Sequence, residues 1–235
     1  MKVVARVITG LVEKRSLDRA AADAIRQAIT SGALNPGAKL TEAELATQLN
    51  VSRGTIRAAL QRLMSEGLMV QRPYAGWEVA PLTSQDAWEL YTLRSSLEGL
   101  AARLAARNPE RRKLIEPAFE KLKVAAKSRN QKQITDADLE LHKTIVLLAN
   151  HKRLLDQYGY VEQQVRMYMA SSNAILEKAE LVIANHEELV GSLLKGNAAA
   201  AERNAQEHNK AAGELLVRHL QEEESSRKKP DPRRA

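Results

Sequence analysis

Three histidines and one aspartate stand at spacings that could hold a metal ion. Asp138 and His142 are four residues apart in "DADLELH", so they share one face of a helix. His186 in "LVIANHEELVGSLL" and His208 in "AQEHNKAAG" each have apolar residues at helical spacing. Imidazole nitrogens and carboxylate oxygens are both ligands of divalent first-row metals, and these four side chains would face inward.

The lengths of the predicted helices bring these side chains to similar heights. His186 precedes the turn at Gly196–Asn197 by ten residues, and His208 follows it by eleven. At about 1.5 Å per residue, both lie roughly 15 Å from that turn, so an antiparallel pair sets them level. Asp138 and His142 lie twelve and eight residues before a break on a third helix. A lone histidine is ordinarily a satisfied core residue, but four converging side chains predict a divalent metal site. We expect zinc, with nickel and manganese as alternatives.

Two arginines are candidates for binding an anion near this site. Arg94 lies among apolar helical neighbours in "LYTLRSSLEG", and a buried guanidinium needs a partner. Glu98, four residues on, would satisfy it in a purely structural pair, and a ligand carboxylate is the other interpretation. Arg166, which comes after Val161 and Val165, is the second candidate.

The composition indicates a two-domain, mainly α protein. The chain has 235 residues, of which 44% are hydrophobic and only 3% aromatic, and this balance favours helices over a sheet sandwich. It contains no cysteine, which excludes disulfides and thiolate metal sites and fits a reducing compartment. Neither a signal peptide nor a membrane span is evident. We therefore expect a cytoplasmic protein with no membrane partner.

Residues 1–80 predict a winged helix-turn-helix. A helical stretch in "SLDRAAADAIRQAITSGAL" is followed by a capping box, Thr41 with Glu44, that opens a second helix. Ser52 caps a third helix that Gly67 ends, and "LMVQRPYAGWEVA" reads as a hairpin. This part holds eleven Lys or Arg against seven Asp or Glu, a charge of +4 out of the total of +7. The excess suggests an anionic partner.

The third helix begins with a small, polar and basic tip. In "VSRGTIRAALQRL" the apolar residues face inward, whereas Arg53 and Arg57 share the outer face and Gly54 permits close approach of the backbone. A solvated surface helix would show the same arginines, but the preceding capped helix and the wing favour a major-groove contact. The predicted DNA contacts are Ser52, Arg53, Gly54, Thr55, Arg57, Arg72 and Gly76, with Tyr74 beside them on the wing.

From residue 81 onward the sequence predicts helices only. Six stretches, about 84–107, 110–128, 131–149, 151–172, 174–195 and 197–222, read as an antiparallel helical bundle spanning residues 81–222. The last thirteen residues, 223–235, have low hydrophobicity and are expected to be a disordered tail.

Both halves resemble known families. "NPGAKLTEAELATQLNVSRGTIRAALQRLMSEGL" resembles the GntR-family winged helix, which carries a Pro-Gly turn, "E-x-x-LA" and a "VSR" start to its recognition helix. Thr55 and Ala58 depart from the usual pattern, so the operator sequence is not carried over. Residues 84–220 resemble the FadR C-terminal domain, FCD, through "YTLRSSLEGLAARLAA", "D-x-x-x-H" and two histidines twenty-two residues apart.

The resemblance implies a transcriptional regulator, with no enzymatic activity, that binds both DNA and a small-molecule effector. Metal-binding FCD members carry one Asp and three His where this chain has Asp138, His142, His186 and His208, and Arg94 would join the metal in binding a small organic acid. A homodimer would bind a pseudo-palindromic double-stranded operator, and repression relieved by the acid is the commoner arrangement. Two alternatives remain open: a regulator with a purely structural metal, and a metal-dependent enzyme fused to a DNA-binding head.

Overall fold

The computed structural model describes residues 16–73, 76–128, 130–171 and 179–228, and nearly all of the regular structure is helical. The helices within these ranges are α1 (Leu17–Thr30), α2 (Glu42–Leu49), α3 (Arg53–Ser65), α4 (Ser84–Ala105), α5 (Arg111–Ser128), α6 (Gln131–Leu148), α7 (Lys152–Ser171), α8 (Ala179–Leu194) and α9 (Ala198–Lys228). The strands are β1 (Lys39–Leu40), β2 (Met69–Arg72) and β3 (Gly76–Val79). This architecture confirms the predicted fold class.

The first three helices and the sheet form the winged helix-turn-helix. The strands pair antiparallel in the order β1-β3-β2, and the β2–β3 hairpin aligns Met69 with Val79. Strand β1 was not predicted, because two residues are too short to show an alternating pattern. The core between α1, α3 and the wing contains the buried residues Ile25, Ile29, Ile56, Leu60, Leu63, Leu68, Trp77 and Val79.

Side-chain caps fix the start of α2 and of α3. The Thr41 hydroxyl accepts a hydrogen bond from the Glu44 amide at 3.2 Å, and the Ser52 hydroxyl accepts one from the Thr55 amide at 3.1 Å. Asn50, between the two helices, has a left-handed backbone with φ of 51°. These caps satisfy amides that a helix leaves without internal partners, and they set the angle at which α3 begins.

The second half is a bundle of α4 to α9 around a long antiparallel pair, α4 and α9. The pair packs closely because Gly213 on α9 faces Tyr91 on α4: a Cβ on this glycine would lie 2.6 Å from the Tyr91 Cβ. A second core, which includes Ile115, Leu122, Leu141 and Leu193, fills the space between α5, α6, α8 and α9. No described helix is both long and apolar enough to cross a membrane.

Helix α9 runs six residues beyond its predicted end, so residues 223–228 are not part of a disordered tail. Their hydrophobicity is low, but Glu224 accepts hydrogen bonds from the Ser84 amide at 2.8 Å and the Ser84 hydroxyl at 3.0 Å. A carboxylate at the amino end of α4 is favoured by the helix dipole and satisfies a free amide. The rest of the predicted tail, 229–235, lies outside the described residues.

Helix α7 joins the bundle to the winged helix. The Gln164 side-chain amide donates to the Glu66 carbonyl oxygen at 3.0 Å, at the end of α3. Gly67, with φ of +74°, leaves that space free, since a Cβ there would lie 2.6 Å from Gln164 Nε2. Val161 and Val165 on α7 belong to the same apolar cluster as the core of the winged helix. The two halves therefore share packed contacts beyond the connector at 80–83.

Candidate metal centre and nucleic-acid interface

Helices α6, α8 and α9 bring the four predicted metal ligands together. The Nε2 atoms of His142 and His186 lie 3.2 Å apart, and the Asp138 Oδ1 is 3.0 Å from His186 Nε2 and 3.9 Å from His142 Nε2. The His208 ring completes the group, with its centroid 4.3 Å from that of His186. One ligand nitrogen from each of the three histidines lies within 4.8 Å of the others. This spacing is close enough for one small cation to contact all of them.

The other ring nitrogen of each histidine is held by an acceptor. His142 Nδ1 lies 2.5 Å from the Glu98 carboxylate, His186 Nδ1 2.7 Å from the Val182 carbonyl oxygen, and His208 Nδ1 3.1 Å from the Asn185 carbonyl oxygen. An acceptor at Nδ1 fixes the tautomer with its proton there and leaves the Nε2 lone pair free. The Nε2 atoms of His142 and His186, which face each other at 3.2 Å, are therefore the nitrogens available to a metal in the cluster.

The charge states of the cluster also fit a cation. Burial opposes ionisation of Asp138, but the neighbouring His142 and His186 rings hold the pKa of this carboxyl well below its usual range. Burial and the two other imidazoles lower the pKa of His208 well below that of a free histidine. Against the effect of burial, the hydrogen bond and charge of Asp138 raise the pKa of His186. An ionised carboxylate and a neutral imidazole are the states that bind metal, so the shifts at Asp138 and His208 favour binding, whereas a metal would have to displace a proton from His186.

Arg94 lies beside the cluster with one end of its guanidinium free. Its Nε donates to Glu98 at 2.7 Å, so the structural pairing considered from the sequence does form. Its Nη2, however, is buried and has no hydrogen-bond partner among the described residues. Arg94, Asp138, His186 and His208 all line one cavity. A buried donor without a partner is costly, so an anion in this cavity would satisfy it.

The tip of α3 has the exposure that a DNA contact needs. Ser52, Arg53 and Gly54 are exposed, and no ion pair holds Arg53 within the described chain. A Cβ added to Gly54 would meet only the Ser52 hydroxyl, at an ordinary 3.7 Å. Packing within the protein therefore does not require glycine at this position. Thr55 is half-buried, and its hydroxyl lies 2.9 Å from that of Ser52.

Three other predicted DNA contacts have roles inside the protein. Arg57 donates from Nε and Nη2 to Glu42 on α2, at 2.9 and 2.7 Å, yet its side chain remains 60% exposed. Arg72 pairs with Glu78 across the hairpin at 3.1 Å. Gly76 has φ of +85°, which favours glycine whatever contacts the wing makes. Tyr74 lies outside the described residues.

Comparison with known proteins accounts for both halves of this arrangement. The sequence profile of bacterial regulatory proteins of the gntR family matches residues 17–79, and that of the FCD domain matches residues 89–211, more than half of the chain. This chain belongs to the GntR family. Its helical half is an FCD domain, so the protein is a DNA-binding transcriptional regulator rather than an enzyme.

This GntR-family protein is similar to known regulators over most of their length. It is 32% identical over 189 residues to a protein of Paenarthrobacter nicotinovorans described as a probable D-xylose utilization operon transcriptional repressor, covering 79% of this chain and 82% of the relative. It is 29% identical over 170 residues to the gluconate operon transcriptional repressor of Bacillus licheniformis, covering 69% and 70%. The solved structure of E. coli McbR/YncC has the same fold, with a TM-score of 0.73 at 23% identity over 88% of this chain and 99% of that one.

The structure places Arg166 away from the histidine cluster of this GntR protein. Its guanidinium pairs with Asp136 on α6 and lies 3.8 Å from Glu162 on its own helix. It lines a separate cleft between α1, α6 and α7, together with Arg26. The valines before Arg166 suggested that its helix has an apolar face. The sequence did not reveal that Arg166 itself meets α6.

Glu98 is the residue at this site whose role the sequence did not reveal. It is 2% exposed and contacts Arg94, His142 and the Asn209 side-chain amide, the last at 3.0 Å. Burial alone would raise the pKa of Glu98, but the Arg94 guanidinium and the His142 ring hold it well below its usual range. Its position four residues after Arg94 was a usable signal. The contact with His142, forty-four residues away, was not.

Proposed function

We propose that this GntR-family protein is a repressor whose DNA binding is controlled by a small carboxylic acid bound beside a divalent metal. The supporting observation is that Arg94, whose Nη2 is buried without a hydrogen-bond partner, lines the same cavity as Asp138, His186 and His208. Zinc is the metal that the donor set suits best, with nickel and manganese as alternatives. When bound, such a metal supplies a Lewis-acidic position for a carboxylate oxygen.

The chain's own residues would hold the acid and its orientation. Arg94 would donate from Nη2 to one carboxylate oxygen while its Nε remains on Glu98, so its charge stays in place without the ligand. Glu98 also orients His142, which couples the arginine to the metal ligands through one buried carboxylate. Glu98 therefore holds Arg94 and His142 in the orientation that an anion needs, even when the site contains no anion.

DNA binding is assigned to the exposed tip of α3 and to the wing. Arg53, Gly54 and the free amides of the first turn would meet phosphates and base edges in the major groove, with Ser52 and Thr55 fixing the helix end. Arg57 would exchange Glu42 for DNA, and Arg72 with Gly76 would rest on the adjacent backbone. A homodimer formed through residues 81–222 would present two such tips to a pseudo-palindromic operator in the cytoplasm.

Helix α9 offers a route from the cavity to the DNA-binding half. It bears His208 at the cluster and, sixteen residues on, Glu224, which caps the first residue of α4. At about 1.5 Å per residue these positions lie roughly 24 Å apart on one helix. A displacement of α9 by the bound acid would therefore reach Ser84, which follows the connector from the wing, and change the orientation of the winged helix-turn-helix.

Two relatives support repression as the direction of control. The P. nicotinovorans relative is described as a probable operon repressor, and the B. licheniformis relative is a gluconate operon repressor. We therefore propose that the protein occupies its operator without the acid and leaves it when the acid binds. A purely structural metal would instead give operator binding that no acid changes.

An Arg94→Lys variant tests whether Arg94 binds the effector, and it does not leave the buried Glu98 carboxylate without a positive partner. Lysine keeps a positive charge for the Glu98 carboxylate but lacks the second planar donor, so the response to the acid should be lost. Zinc content and operator affinity without ligand should stay within about twofold of wild type. The operator is first selected from fragmented genomic DNA, and its affinity is then measured by fluorescence anisotropy with and without a panel of small carboxylic acids.

The Arg94 test has two informative controls. Arg103→Ala changes an arginine of α4 that pairs with Glu202 at 3.5 Å and is not among the lining residues of the cavity, so it should respond like wild type. Arg94→Ala should abolish the response as well, with some loss of thermal stability because Glu98 then keeps a buried charge. If the acids change the operator affinity of Arg94→Lys as they change that of the wild type, Arg94 has only the structural role of pairing with Glu98.

A further inference from the structure

The cavity beside the cluster extends away from the metal ligands in one direction. On each of the three helices one turn leads from a ligand to an apolar residue: from Asp138 back to Ile134, from His186 back to Val182, and from His208 forward to Ala212. Each step is four residues, or about 6 Å. Because α8 and α9 run antiparallel, these three residues form a layer on the same side of the cluster.

A second apolar layer follows the first. Leu216 is eight residues beyond His208, about 12 Å along α9, and lines the cavity with Leu215 and with Met169 from α7. Gln131 at the start of α6, which is half-buried, and Tyr168 beside Met169 are polar residues at this end, and Tyr91 and Asn185 also line the cavity. Aliphatic side chains form most of the remaining wall, so the cavity has a charged floor and walls that are more apolar than polar.

The charged floor has one permanent cation. Among the described residues that line this cavity, Arg94 is the sole lysine or arginine. Its Nε is already bonded to Glu98, and its Nη2 is buried without a hydrogen-bond partner. A second carboxylate on the same ligand would lie against Ile134, Val182 or Leu216 without a partner, which is unfavourable.

The volume limits the body of the ligand. The cavity measures about 180 Å³, and an apolar protein cavity of about 150 Å³ is large enough to bind benzene. One aromatic ring or a short branched chain fits above the floor. A chain of hydroxyl groups of similar length would lose its water along the aliphatic part of the wall and would gain there only the partners that Gln131, Tyr168 and Asn185 offer.

We infer that the effector is a monocarboxylate with a compact apolar body, either a branched chain or one ring, and not a polyhydroxylated or multiply charged acid. This inference rests on the proposed function, because it assumes that an acid occupies this site. Arg94 and the metal ligands bind its carboxylate. The walls formed by Ile134, Val182, Ala212 and Leu216 bind its body.

Isothermal titration calorimetry on the zinc-loaded full-length protein tests the inference with matched acids. Gluconate and 2-hydroxy-4-methylpentanoate are both six-carbon 2-hydroxy acids, so they offer the same head and differ in the body. We expect 2-hydroxy-4-methylpentanoate, or its aromatic counterpart mandelate, to bind at least about tenfold more tightly than gluconate or citrate. Gluconate or citrate binding equally or more tightly would overturn the inference while leaving the proposed function in place.

An Ala212→Leu variant locates the binding to this cavity. The larger side chain would fill the first apolar layer, so affinity for the apolar acid should fall by about tenfold or more while zinc content stays at the wild-type level. Ala199→Leu, on an exposed position of the same helix, is the matched control and should bind like wild type. Unchanged affinity in Ala212→Leu would overturn the assignment of the walls. If no acid of either kind binds, the proposed effector site itself fails.

Discussion

A His186→Ala variant is expected to raise the zinc dissociation constant by at least about a hundredfold. Its Nε2 lies 3.2 Å from that of His142 and 3.0 Å from the Asp138 carboxylate, so it stands at the centre of the four ligands. Its removal deletes one ligand and also the ring that contacts the Asp138 carboxylate. Loss of an outer partner alone typically costs ten- to a hundredfold in metal affinity, and loss of a direct ligand should exceed that.

Competition with a chromophoric chelator measures this constant, and circular dichroism checks that each variant is folded. Glu98→Gln should give an intermediate result, about ten- to a hundredfold weaker, because it removes the charged acceptor at His142 Nδ1. His219→Ala is the control, since this histidine of α9 pairs with Glu223 on its own helix at 3.2 Å. If His186→Ala and His219→Ala bind zinc equally, the four residues do not form the site.

Replacing Arg53 with alanine is expected to weaken operator binding by about tenfold or more, with little change in thermal stability. Arg53 is exposed in the first turn of α3, where a side chain reaches phosphates or base edges in the major groove. A contact of this kind is worth about 1–3 kcal/mol. Without an ion pair to lose, the folded protein should barely respond.

The Arg53 result is read against two other arginines. Arg57→Ala should weaken operator binding too, but it also releases Glu42 and is therefore less clean. Arg112→Ala, on α5 far along the chain and paired with Glu116, should bind operator like wild type. Fluorescence anisotropy at two salt concentrations would show a shallower salt dependence for Arg53→Ala if a phosphate contact is lost. An unchanged affinity would mean that α3 is not the recognition helix.

Helix periodicity and turn residues were sufficient to predict the fold. The caps at Thr41 and Ser52 and the positive φ at Gly67 and Gly196 lie where the sequence indicated helix ends. The level placement of His186 and His208 followed from counting residues to a shared turn, which works because α-helices have a constant rise. Local rules of this kind depend on neighbours within a few residues, and these are visible in the sequence.

Contacts between distant helices were not predictable in the same way. Glu98 meets His142 and Asn209 only because α4 crosses both α6 and α9. Arg166 turned to Asp136 rather than to the metal cluster, and Glu224 stabilised a helix end that composition alone indicated to be disordered. Each case depends on which helix faces which, and a single sequence contains no direct record of that.

Native mass spectrometry of the untagged wild-type protein tests the central claim most directly. One chain has a mass of 26.0 kDa, so a homodimer should appear near twice that mass with two additional metal ions. One metal per chain, released by chelator and restored by zinc, is the result that a centre of Asp138, His142, His186 and His208 predicts. A spectrum without bound metal, even after incubation with zinc, nickel and manganese, would contradict it.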